Sequence, residues 1–566
     1  MSGTYPAPHF ASVTLDTPLT VSGGGTGSSS AATARSNLGA AASGANSDIT
    51  SLTGLTAPLS LGQGGTGATT AAGIAGAISA NFYVATIAAL RALTSATTAT
   101  TASVSGYAAP ADGGGGIFVV NANDTASADN GGTIIVDAAG RRWYRIYSGA
   151  LNVKYFGAKG NGVTDDTAAI QATINAGGAN CQIYLPAGTY LNNSASGSIT
   201  ISNSGVSISG AGQGVTTIQA TGSSPAAIFA ALSSTDKSDI TISDMTLDIN
   251  GVNSGIQVQY VSRFTVRRCR IINNQYWGIN IGVTLGTSTT VANSEVTIED
   301  CWFGGGKSTY ESLLLFNCAK ITVNNCYFDS GASGTPGVGL YQNLDRVSIS
   351  SCHFDGLDIG LYYSVSTNNI SISGCSFSGC TVGVEGANQS DNGAFGQNTV
   401  YGLSIANCTF ESGGVHMQLG ATQGASVSNC TFYNSQQQPM QITQGNSPVS
   451  PSANFPMISN CEFRNNCLNA GGSTNNAAIL ISGAANSFGI ITGCAFEDNQ
   501  ATPTQNYPIV FSGAYTFTGW RAFGCVITPY NSATSVAVAG GATISSFVLY
   551  GCTNVSATLP SGVSQV

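Results

Sequence analysis

The chain has 566 residues, 26 acidic and 17 basic side chains, and is only 8% charged, against about 25% in an ordinary soluble protein. Glycine reaches 73 residues while hydrophobic side chains hold at 42%, so there is ample apolar mass for a core. A net charge of -9 offers no general attraction for phosphate backbones, and no run of about 18 or more apolar residues predicts a membrane span; nucleic acid and bilayer are therefore not expected partners.

The amino terminus, MSGTYPAPHF, has neither the basic nor the apolar stretch of a secretory leader. Residues 1–80 are rich in Ala, Gly, Ser and Thr and contain a duplication: PLTVSGGGTGSSSAATARSNLGA (18–40) matches PLSLGQGGTGATTAAGIAGAI (58–78). Such a segment buries too little surface to fold alone and is expected to need partner chains. Residues 81–150 change character, with turn-rich GYAAPADGGGG, alternating IFVV and then TIIVDAAGRRWYRIY, which predicts a small β module. Beyond it, Thr164-Asp165-Asp166-Thr167 leads into AAIQATINAGG, where Ile170 and Ile174 fall four apart and Gly177-Gly178 ends the run. The pattern predicts a helix of about 12 residues, with Asp165 and Asp166 as N-caps rather than catalysts. Its apolar stripe suits it to cover the open end of a β structure.

From Cys269 onward eleven cysteines (Cys269, Cys301, Cys326, Cys352, Cys375, Cys408, Cys430, Cys461, Cys494, Cys525, Cys552) recur in one context, apolar-x-apolar-x-x-Cys-x-Phe, as in VSISSCHF and ISISGCSF. Met245 in ITISDMTL takes the same place. A second alternation follows each, for example IGLYY (359–363) and VGVEG (382–386), giving about three short strands per repeat. The residue before the cysteine is Asn or Gly at Asn325, Gly374, Asn407, Asn429, Asn460, Gly493, Gly524 and Gly551, the types that tolerate left-handed backbone and so mark a sharp corner. Short strands, sharp corners and a fixed repeat describe an all-β chain, a right-handed parallel β-helix with inward, stacked cysteines that act as small hydrophobes rather than disulfides.

The paired GGTG elements with GANSDITSLTGL (44–55) resemble amino-terminal attachment segments of bacteriophage tail fibres and tailspikes. VKYFGAKGNGVTDDTAAIQATINAG (153–177), YLPAGTYL (184–191) and VSISGAGQG (206–214) resemble the pectate-lyase-like domain of phage depolymerases, and DGGGG with GRRWYRIYSG resembles the small module that often precedes it. The resemblance implies a homotrimeric tailspike of the virion tail, assembled in the host cytoplasm. It would attach to the phage tail or baseplate through residues 1–80, carry a β neck at 81–150, and engage capsule or O-antigen at the bacterial surface with a β-helix at 151–566.

A sugar site on a β-helix should use outward side chains at matching positions of successive coils. Three positions past the cysteine the row reads Gly304, Asp329, Asp355, Ser378, Glu411, Tyr433 and Arg464; one position past, it reads Trp302, Tyr327, His353, Ser376 and Thr409. On the following strand the expected outward row is Asn280, Leu314, Tyr341, Tyr362, Glu385, Gln418 and Gln441, with Gly339, Gly360, Gly383 and His416 beside it as a groove floor. Asp358 precedes that strand. Glycoside hydrolysis needs one protonated and one ionised carboxyl group, so Asp329, Asp355, Asp358, Glu385 and Glu411 are the catalytic candidates, and several pairings remain open. Trp302, Tyr327, Tyr341, Tyr362, His353 and His416 are the candidates for carrying sugar rings. The plainer reading keeps the carboxylates as solubilising charges. Endo-glycosidic hydrolysis is preferred over a lyase of the same fold and over a receptor-binding fibre that does not cut, and no metal or other cofactor is expected.

Overall fold

The computed structural model describes residues 28–38, 82–94, 97, 99–222, 227–250, 254–282, 293–306, 310–329, 336–364, 367–386, 400–420, 422–444, 456–469, 476–483, 488–500, 504–528 and 534–566. The chain divides into two units, residues 1–81 and 82–566. In the first, the described residues contain helix α1 (Ala31–Leu38), while GANSDITSLTGL (44–55) and the second GGTG element lie outside the described residues.

The second unit opens with a five-stranded sheet: β1 (Phe82–Thr86), β2 (Thr101–Gly106), β3 (Gly116–Val120), β4 (Ile134–Val136) and β5 (Arg142–Ile146), in the order β1-β2-β3-β5-β4. β1 runs parallel to β2 and the other pairs are antiparallel. The short helix α2 (Ile87–Arg91) drops Ile87 and Leu90 into the same small core as Phe118, Ile135 and Trp143. Burying that tryptophan requires a partner for its indole N–H, and Asp137 supplies it at 2.9 Å.

The rest of the unit is a parallel β-helix, with 41 strands in one wound sheet among the described residues. Helix α3 (Thr167–Gly177) closes its amino-terminal end, burying Ile170 and Ile174 in the helix core. Asp166 stands at its N-cap position, yet its side chain makes no cap; instead it accepts from the backbone N–H of Lys159 at 2.6 Å and of Gly160 at 2.9 Å. Burial raises the pKa of this carboxyl, and the two amides oppose the rise. The capping bond comes from Asp165, which accepts from the Thr167 N–H at 3.0 Å. The expectation of N-capping therefore holds for Asp165 and fails for Asp166, whose side chain secures the preceding loop.

A representative coil consists of a lead strand (Leu344–Ser350), a cysteine strand (His353–Asp355) and a return strand (Ile359–Tyr363). Each pairs in parallel with its counterpart one coil on, so Phe328, Phe354 and Phe377 share one register. Between lead and cysteine strands the backbone turns through one left-handed residue. All eight Asn and Gly positions expected there have φ between 51° and 62°, and Asp244, Arg268, Asp300 and Ser351 take the same conformation in the other coils. The turn is thus imposed by the fold, and Asn or Gly is where it costs least.

Inside, the repeated cysteines are buried free thiols. Each donates to backbone carbonyls; Cys326, for example, reaches Asn324 at 3.3 Å and Ile298 at 3.6 Å. Burial pushes the Cys269 thiol up to about 12, as it does that of Cys380, a buried cysteine outside the repeat, which keeps both protonated. Beside them runs a phenylalanine ladder, Phe303, Phe328, Phe354, Phe377, Phe410, Phe432, Phe463 and Phe496, with neighbouring ring centroids 4.6 to 5.0 Å apart. A coil rise of about 4.8 Å sets that spacing.

The return strand departs from simple alternation, and two expectations fall with it. Gly360 and Leu361 are both buried, as are Gly383 and Val384. A Cβ on Gly360 would lie 2.8 Å from the Phe377 ring and 2.6 Å from the Gly383 carbonyl oxygen; on Gly383 it would lie 3.0 Å from Phe410. These glycines make room for the phenylalanine ladder and do not floor a groove. His416 occupies the same column one coil further, 2% exposed, with its ring 6.0 Å from Phe410 and 6.3 Å from Phe432. It is a core residue, not a sugar contact.

Candidate functional site

On the cysteine strands both expected rows form, except that Gly304 at the head of the first is buried. Asp329, Asp355, Ser378 and Glu411 succeed one another in register, followed by Tyr433 and Arg464. Trp302, Tyr327, His353, Ser376 and Thr409 make the parallel row. Tyr327 Oη ties the two rows together, donating to Asp355 at 3.2 Å, and within the first row Tyr433 Oη donates to Glu411 at 2.8 Å. Partial burial first, and the neighbouring carboxylates second, raise the pKa of Tyr327. His353 is exposed, with Nδ1 2.6 Å from Ser376 Oγ. The Trp302 ring lies across Gly304 under the Arg270 guanidinium, whose carbon is 4.3 Å from the ring centroid, and so stacks with a cation.

The return strands carry the second face. Its register runs Asn280, Leu314, Gly339, Tyr362, Glu385, Gln418, Gln441. Gly339 stands in the place expected for Tyr341, two residues earlier in the chain. Tyr341 nevertheless reaches the row from two positions further along, since its ring folds back over Gly339 and its centroid sits 5.3 Å from that of Tyr362. Only glycine leaves room for that ring. Asp358 begins the same turn-to-strand passage, its carbonyl accepting from Val382 N–H at 2.8 Å.

Sequence reading missed the residue that organises this face. Glu311, 8% exposed, projects over Gly339 and accepts a hydrogen bond at each oxygen, from Tyr341 Oη and from Trp277 Nε1, the latter at 3.1 Å. Tyr310 closes the cluster, 5.3 Å from Trp277 and 5.1 Å from Tyr276 between ring centroids. One carboxylate thus holds two of four aromatic rings at one end of a row that leads through Tyr362 to Glu385. Gln418 and Gln441 extend the row as an amide ladder, Nε2 to Oε1 at 3.5 Å.

Among the described residues no three His, Cys, Asp or Glu side chains gather into a metal site, and no helix is long and apolar enough to cross a membrane.

Residues 83–148 match the phage tail protein small four-stranded β-sheet domain, residues 150–385 the rhamnogalacturonase A/epimerase, pectate lyase-like model, and residues 336–519 the right-handed β-helix region. The chain couples a phage-tail module to a pectate-lyase-like β-helix. Among curated proteins it is similar to mannuronan C5-epimerase AlgE1 of Azotobacter vinelandii, 41% identical over 116 residues, 19% of this chain and 8% of that protein. Alginate lyase 7 of the same organism is 42% identical over 113 residues, 18% of this chain and 13% of that protein. This chain therefore spans a small part of either relative. Among solved structures, the amino-terminal fragment of bacteriophage Phi29 gene product 12 covers 72% of this chain and 79% of its own at 15% identity with a TM-score of 0.51, a likeness of fold. The enzymatically active domain of bacteriophage CBA120 tailspike protein 2 covers 81% of this chain and 61% of its own, at 16% identity and a TM-score of 0.43.

Proposed function

We propose that this phage-tail β-helix protein is a tailspike that binds bacterial surface polysaccharide and cuts it by endo-glycosidic hydrolysis. The observation that carries the reading is the order of modules in one chain, a phage-tail sheet at 83–148 passing directly into a pectate-lyase-like helix from residue 150. Residues 1–80 would then attach to the phage tail, a homotrimer would present three helices, and the host capsule or O-chain would be the substrate.

The return-strand face supports the chemistry. The Glu311 carboxyl lies over Gly339, and Gly339, Tyr362 and Glu385 are successive register partners. Two coil rises, about 10 Å, therefore separate the two acids along the helix, close to the upper end of the span of an inverting pair. With Tyr362 under the sugar between them, Glu385 donates its proton to the glycosidic oxygen as the anomeric C–O bond breaks. Glu311, an acceptor at both oxygens, takes the proton of the water that attacks the anomeric carbon. A second pair is favoured by register alone: Asp329 and Asp355 are immediate neighbours about 4.8 Å apart, a retaining distance.

Purified protein incubated with bacterial capsules and O-chains should release new reducing ends without the absorbance of an unsaturated uronate. Glu385→Gln and Glu311→Gln should each lower that release by about 100-fold or more, while Asp355→Asn and Glu411→Gln should leave it within a few-fold. The opposite ranking moves the site to the cysteine-strand face, and product carrying the absorbance makes the enzyme a lyase.

A further inference from the structure

We propose that the glycan cut at this face carries no acidic groups; the inference rests on the depolymerase reading and narrows its substrate class. Between Arg346 and Arg464 the sequence has no lysine or arginine, yet it holds Asp355, Asp358, Glu385, Asp391, Glu411 and Glu462. The coils bearing Tyr362, Glu385, Gln418 and Gln441 thus contain no fixed cation. The basic groups that bound the stretch are turned elsewhere. Arg346 occupies a left-handed corner of the lead strand and pairs with Asp345 at 3.2 Å, and Lys320, on the same corner column, pairs with Glu295 at 2.7 Å. Arg464 pairs with Glu462 in its own strand.

A uronate, sulfate or pyruvate ketal laid along this face would meet like charge from Glu311 and surrender hydration with no cation to replace it. The epimerase and lyase relatives act, by name, on mannuronan and alginate. What the face does offer is suited to hydroxyl and acetamido groups: paired rings at Tyr341 and Tyr362, and the amides of Gln418 and Gln441. Lys307 is the one basic residue between Arg270 and Lys320, close in sequence to Glu311. It lies outside the described residues, so its substitution is part of the test.

The test uses the full chain and a set of acidic bacterial capsules, each before and after chemical reduction of its uronic carboxyl groups to alcohols, beside neutral O-chains. Binding is read by surface retention and cleavage by reducing ends, separately. We expect retention on neutral polymers, and at least a 10-fold gain in retention when an acidic polymer is reduced. Lys307→Ala should leave both unchanged. Retention and cleavage of a native acidic capsule that is lost on reduction would overturn the inference, the more so if Lys307→Ala abolishes it. Neutral polymer held but never cut would instead uphold the charge assignment and overturn the depolymerase reading.

Discussion

The guanidinium of Arg145 lies 4.2 Å from the ring centroid of Tyr155, so a strand of the phage-tail sheet is clasped by the first turn of the β-helix. Phe118 covers the other side at 4.5 Å, and the guanidinium donates to the carbonyls of Gly114, Gly115 and Gly132. Burial lowers its pKa to about 10, which still leaves it charged at neutral pH. Arg145→Ala strands three carbonyls and removes both ring contacts, and should cost on the order of 3 kcal/mol of stability. Chemical denaturation should show it, and limited proteolysis should then cut between the sheet and the helix. Arg145→Lys should recover only part of the loss, having no planar group to lie between the rings.

His416 should make the fold acid-sensitive. Burial depresses its pKa from 6.5 to about 3, so between those values the unfolded chain binds a proton that the folded chain refuses. Stability contributed by the neutral imidazole is complete above pH 6.5 and is lost as pH falls toward 3, on the order of 4 kcal/mol in all. His416→Leu, whose neighbours are Phe410 and Phe432, should melt close to the parent at pH 7 and above it at pH 4. Parallel melting curves across that range check the sign.

The phenylalanine ladder predicts a steep cost for a missing rung. Phe377 is stacked at 4.6 Å on Phe354 and at 4.7 Å on Phe410, so Phe377→Ala leaves a void open to both. The expected loss is about 3–5 kcal/mol in denaturant titration. Gly360→Ala attacks the same rung from the other side, since its methyl group would press on the Phe377 ring, and should also destabilise.

The cysteines should behave as thiols throughout. Reductant should leave the melting temperature unchanged, and an alkylating reagent should label native protein at Cys181, which alone among the fifteen is partly exposed. Full labelling should appear only on unfolding. A melting temperature lowered by reductant would mean that two rungs are bonded.

Much of the fold was legible because the cysteine strand repeats without insertion: the Cys-x-Phe unit, its outward rows and the left-handed corner before it are all local. The return strand was less so. Its pair of consecutive inward residues, such as Gly360 and Leu361, breaks the two-residue period, which is why His416 reads outward in the sequence and packs inward in the molecule. The alternation of GVGLY fits either Gly339 or Tyr341 to the outward row, and the pairing of Gly339 with Tyr362 decides for the glycine, although the Tyr341 ring still arrives over that place. Glu311, Tyr310 and Trp277 had no signal in the repeat. Glu311 and Tyr310 stand in an insertion and Trp277 begins its strand, and only the folded chain brings them to Tyr341.

The left-handed corner never varies in length: Ser351 and Cys352 separate Ser350 from His353, and likewise Asn407 and Cys408 separate Ala406 from Thr409. The corner before the return strand is elastic by contrast, with three residues between Asp355 and Ile359 but twelve between Arg464 and Ala477. One seam of the molecule is therefore closed to insertion while another stays open to it. Insertions can lengthen the open seam alone, the way a lock is rekeyed without recasting its cylinder, because residues added there never enter the stacks that keep the coils in step.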